Sequence, residues 1–79
     1  MQLTPVTSSN LKAVGHDPAT NELHVEFSNG ARWIYAGVDA EKYGRMLAFP
    51  SVGKFFAASI RGQHEERRYE EPAADGDDV

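Results

Sequence analysis

Trp33 and Tyr35 stand one residue apart, just after an Asn29-Gly30 pair. Two rings at that spacing on a strand share one face. Exposed rings with cations nearby suit single-stranded nucleic acid, because every base offers a π-face and the phosphates need neutralising. In that reading Trp33 and Tyr35 stack bases, Arg32, Lys12, Lys54 and Arg61 meet phosphates, and His24 lies beside the rings. Each stacked base contributes about 1–3 kcal/mol. The competing use of such rings is to fill the core of a small domain, since large aromatics are mostly buried.

Other constellations fall short of a site. His24 and Glu26 share a strand face, but two ligands do not close a tetrahedral metal site, and His16 and His64 have no defined place beside them. No metal and no cofactor is expected. Ser51-Val52-Gly53-Lys54 lacks the earlier glycine of a phosphate loop, and Phe55 stands where Ser or Thr would hold magnesium, so Ser51 reads as a helix N-cap. Ser8, Ser9, His16 and Asp17 supply the residue types of a nucleophilic triad without its motif. Glu22 and Glu26 place two carboxylates on one strand face without a pocket. No catalytic residue is assigned, and the chain is expected not to be an enzyme.

These side chains must be positioned by a small scaffold. The 79 residues, 41% of them hydrophobic, suffice for one core, with Phe27, Trp33, Phe49, Phe55 and Phe56 as its expected large members. Cysteine is absent, which excludes disulfides and thiolate chemistry and fits a reducing cytoplasm. There is no apolar run of about 18 residues and no signal-peptide pattern, so a cytoplasmic protein without membrane contact is expected. The net charge of −4 is unevenly spread. Through His64 it is +1, and the remainder, rich in Glu and Asp, carries −5. Residues 1–64 therefore read as the folded domain and 65–79 as an acidic, disordered tail, whose Glu65 to Glu71 run is the one place for a further helical turn.

Leu23, Val25 and Phe27 alternate with polar residues, which is the period of a half-buried strand. A two-residue Asn29-Gly30 turn would pair it with residues 31–38, setting Glu26 opposite Trp33 and His24 opposite Tyr35. Both rings then lie on the polar face, away from Leu23, Val25, Phe27 and Ile34. A longer, bulged loop would reverse that parity and send both rings inward. Leu11 and Val14 have opposite parity on the first strand, Ser9 to His16, which a bulge near Ala13 or Gly15 would reconcile. Asp39 caps a helix over Ala40 to Phe49 that Pro50 ends. Ser51 caps a second over Val52 to Arg61, with Gly62 as its terminator. The expected fold is α+β, a three-stranded antiparallel β-meander followed by two short α-helices packed on one face. An open edge strand permits a monomer or a weak homodimer.

The order Ser8-Ser9-Asn10-Leu11, Val14-Gly15-His16-Asp17-Pro18, Leu23-His24-Val25-Glu26-Phe27, Asn29-Gly30, Trp33-Ile34-Tyr35, Ser51-Val52-Gly53-Lys54-Phe55-Phe56 and Ile60-Arg61 resembles the KTSC domain. That small module is found at the C-terminus of some lysyl-tRNA synthetases and as stand-alone bacterial and phage-related proteins. The resemblance spans about Val6 to His64. It aligns the family's Tyr-x-Tyr motif with Trp33 and Tyr35, and its Gly-x-Tyr-Phe-Asn segment with Gly53, Phe55, Phe56 and Ala57. Phe55 lacks the family's hydroxyl and Ala57 its amide. The resemblance implies a non-catalytic binding module whose partner is RNA or tRNA through Trp33, Tyr35 and the cations. The alternative is a protein partner and no nucleic-acid role.

Overall fold

The structure, a computed structural model, describes residues 3–69. Five antiparallel strands form one sheet in chain order: β1 (Thr4–Pro5), β2 (Leu11–Asp17), β3 (Glu22–Phe27), β4 (Arg32–Tyr35) and β5 (Glu66–Arg68). Between β4 and β5 come helix α1 (Ala40–Ala48), the short helix α2 (Val52–Phe55) and a π-helical turn, Phe56–Ile60, continuous with α2. The α+β class holds. The sheet has five strands where three were expected, because residues flanking the meander add a strand at each edge.

β5 is the larger departure. The charged run that reads as a helical turn or tail instead pairs with β4, setting Trp33 against Arg68, Ile34 against Arg67 and Tyr35 against Glu66. Main-chain bonds from Ala36 N to Glu65 O and from Tyr69 N to Arg32 O extend this ladder, and Arg67 forms an ion pair with Glu22 at 2.9 Å. The folded sheet therefore passes residue 64. The disordered tail expected beyond Tyr69 lies outside the described residues.

The hairpin between β3 and β4 corrects the register. Phe27 and Ala31 close the loop, with Phe27 N donating to Ala31 O and Gly30 N to Phe27 O. Three residues, Ser28, Asn29 and Gly30, thus sit in the loop, and Gly30 adopts a φ of 92°. This is the three-residue hairpin whose last position is left-handed, a conformation open to glycine at little cost. The extra residue shifts the pairing by one. Val25 faces Trp33, Leu23 faces Tyr35, His24 faces Ile34 and Glu26 faces Arg32. Both rings consequently join Leu23 and Val25 on the helix-covered face, while His24 and Ile34 take the outer one.

On β2 the register shifts between Leu11 and Ala13. With Lys12 as the extra residue, Leu11 and Val14 both reach the core, at 1% and 0% exposure. The turn after β2 is built by Asp17, whose carboxylate accepts from Ala19 N.

Asp39 caps α1 by accepting from Lys42 N at 2.8 Å, and Ser51 caps α2 by accepting from Lys54 N. Gly62, at φ 80°, follows the last helical turn. The second helix is not regular to its end. Arg61 N donates to Phe56 O, the five-residue spacing of a π turn, which carries both Phe56 and Ile60 into the core. That core joins Leu11, Val14, Leu23, Val25, Tyr35, Val38, Met46, Phe56 and Ile60, with Phe27, Trp33 and Phe55 packed at its margin. Phe49, expected inside, is exposed and touches only the edge of Phe55 among the rings.

Candidate functional site

β3, β4 and the α2 segment enclose a groove of about 510 Å³. Its walls include Leu11, Phe27, Trp33, Phe56 and Ala57, with Arg61 and Glu66 among its polar groups. The hairpin loop and Asn10 also border it. Three local choices shape it. The three-residue loop turns Trp33 toward the helices. Gly53 lets α2 approach the segment before β2, where an added Cβ would stand 2.7 Å from Ser8 Oγ. That oxygen already accepts from the N–H groups of Asn10 and Leu11, so Ser8 has little freedom to yield. The π turn brings Phe56 beneath the rings, edge-on to Tyr35 at 5.2 Å and to Phe27 at 5.6 Å.

Of the residues singled out from sequence, Trp33, Tyr35 and Arg61 meet at this groove. Tyr35 is floor rather than platform. It is 2% exposed, and burial holds its hydroxyl well above the usual tyrosine range, with a hydrogen bond to Glu66 adding to the effect. A base cannot stack on it without opening the domain. Trp33 is only half-buried and keeps part of its ring on the groove. Lys54 is exposed on α2 next to Gly53, and Lys12 is exposed at the β2 bulge.

His24 and Arg32 are separated from that group, on the opposite face of the sheet. Tyr69 covers them there. Its ring meets His24 edge-on at 6.1 Å, and the Arg32 guanidinium lies 4.3 Å from its centre. His24 is buried, and desolvation lowers its pKa from the ordinary 6.5. These two side chains belong to the outer sheet face, not to the groove.

One groove neighbour escaped sequence reasoning. Arg68 is the cross-strand partner of Trp33, so the two side chains stand on one face at neighbouring positions. The Glu-Glu-Arg-Arg-Tyr run has no apolar period, and only its pairing to β4 makes it a strand.

A family model for the KTSC domain matches residues 7–64. The chain belongs to the KTSC domain family. The crystal structure of a KTSC domain protein from Yersinia pestis superposes with a TM-score of 0.81 at 30% identity, covering 87% of this chain and 97% of that one. An uncharacterised protein of Stutzerimonas stutzeri is 36% identical over 64 residues, which is 81% of this chain and 90% of the relative. A protein of Tsukamurella paurometabola is 40% identical over 59 residues, covering 75% of this chain and 88% of its own. The KTSC match takes in the Trp33-Ile34-Tyr35 strand and the Gly53 to Ala57 segment, which contribute Trp33, Tyr35, Gly53, Phe56 and Ala57 to the groove. It ends before β5, so Glu66 and Arg68 lie beyond the matched region of the KTSC domain. No helix among the described residues is long and apolar enough to cross a membrane.

Proposed function

We propose that this KTSC domain is a non-catalytic, cytoplasmic binding module that takes single-stranded RNA across the groove, one base against Trp33 and the flanking phosphates on Arg61, Arg68 and Lys54. The observation that carries the reading is the half-buried Trp33 on an open apolar groove, with Arg61 in the wall and Arg68 as its cross-strand neighbour. A groove of about 510 Å³ has room for a planar ring, and stacking on one aromatic face needs no particular base. Tyr35 supports the floor and does not itself stack.

A protein partner is the second reading. It is favoured by Leu47 and Phe49, 41% and 46% exposed at the end of α1, where apolar side chains gain nothing from water.

Short single-stranded RNA titrated against the fluorescence of Trp33, the only tryptophan, tests the first reading. Trp33→Ala, followed by the anisotropy of dye-labelled RNA because the variant has no tryptophan, should abolish RNA binding while circular dichroism shows the domain still folded. RNA binding unaffected by that substitution would remove the groove from the account.

A further inference from the structure

Lys42 on α1 and His64 in the segment before β5 meet although 22 positions separate them. Lys42 Nζ lies 2.7 Å from His64 Nε2, and His64 Nδ1 lies 2.8 Å from the Ala36 carbonyl oxygen. A carbonyl only accepts, so Nδ1 carries a proton and Nε2 is left as the acceptor for Lys42. The Lys42 ammonium thus donates along the Nζ to Nε2 bond, and the Ala36 carbonyl fixes the orientation of the ring. A nucleophile, a base within hydrogen-bond reach and a third group orienting that base are all present.

Lys42 also lines a concavity of about 480 Å³ on the helical side of the molecule, with Asp39, Glu41, Arg45, Phe55 and Gln63. It is separate from the Trp33 groove, with no lining residue in common. The charges there balance locally. Asp39 is engaged by the Lys42 backbone N–H, and Glu41 pairs with Arg45 at 3.0 Å. Such a site selects neither an anion nor a cation. A small neutral carbonyl compound asks only for an amine and a proton carrier: Lys42 lines the concavity, and His64 stands behind it at hydrogen-bond distance from Nζ.

We propose that Lys42 captures small neutral aldehydes as a Schiff base, with His64 carrying the protons. His64 takes a proton from the Lys42 ammonium, and Nζ attacks the carbonyl carbon. The C–N bond forms as the C=O π pair moves to oxygen, which receives the proton from His64. The nitrogen then returns a proton to His64, which delivers it to the departing hydroxyl. The C–O bond breaks, water leaves, and a protonated C=N bond remains. Ammonium plus aldehyde gives iminium plus water, so no oxidant or reductant enters.

The test treats the full chain with propanal and cyanoborohydride at low conversion and reads alkylation of each lysine by peptide mass spectrometry. Lys12 and Lys54, both exposed, serve as internal references and need no variant. Lys42 should react at least about tenfold faster than either, a modest share of what a positioned base contributes. His64→Gln, which can accept from Lys42 but cannot carry its proton, should bring Lys42 down to their level. Lys42 reacting no faster than Lys12 and Lys54, as a purely structural tether would, overturns the proposal. So does a lead for Lys42 that persists in the folded His64→Gln protein.

Discussion

Tyr35 and Trp33 share a strand face and differ in duty. Tyr35 is fully packed between Leu23 and Phe56, so Tyr35→Ala should cost about 3–5 kcal/mol, the usual cost of emptying a buried aromatic site. Chemical denaturation checks this, and a cost under about 1 kcal/mol would mean the ring is not core. His24 adds a pH dependence of definite sign. Its folded pKa lies below its ordinary value, so the unfolded chain binds the proton more readily. Its contribution to stability is complete above about pH 6.5 and declines as the pH falls from there toward the lower folded value. Melting temperatures of the protein and of His24→Gln, compared across this window, should diverge near neutrality and converge in acid. Parallel curves would show that His24 is not desolvated.

The hairpin loop decides which residues reach the groove. Gly30→Ala should destabilise by about 1–2 kcal/mol, because its φ of 92° penalises any Cβ. No atom lies within 4 Å of that Cβ, so a clash cannot be the cause. Equal stability of the variant in urea would mean the loop has another conformation and the register another parity. The caps Asp39 and Ser51, the stop at Pro50, the terminator Gly62 and the bulge beside Ala13 were all legible, since each is set by local chemistry. The hairpin parity was not, because Asn-Gly fits both a two-residue loop and the end of a three-residue one, and one residue inverts every side chain. The π turn was hidden too, as Phe56 to Ile60 has the apolar spacing of an ordinary helix. β5 was illegible for a different reason. Its Glu-Arg-Arg sequence is exposed at every position, so nothing but backbone pairing identifies it.

At the level of the whole chain, the sheet closes one edge with its own C-terminal segment. A chain ended at His64 loses the main-chain bonds of Glu65 and Tyr69 and the Arg67 to Glu22 ion pair. It should be less stable than one ended at Tyr69 by at least about 2 kcal/mol, counting about 1 kcal/mol for each ladder bond. It should also self-associate through the bared β4 edge. Denaturation and gel filtration of the two chains would show it, and equal behaviour would make β5 an ornament of the sheet. The site itself was half legible: the Trp33 strand and the Gly53 segment stand out in sequence, whereas His24 was assigned to it by the inverted parity, Arg32 by its adjacency to Trp33 although neighbours on a strand face opposite ways, and Arg68 was overlooked. The groove's cations lie on a domain whose charge through His64 is only +1, so nucleic-acid affinity must come from local placement rather than from the overall field. The direct test is the Trp33 emission change on adding single-stranded RNA at two salt concentrations. A saturable change is expected whose affinity falls with a log–log slope of roughly −2, the value for about three phosphates neutralised on a single strand. No spectral change at low salt, or an affinity indifferent to salt, would contradict the account.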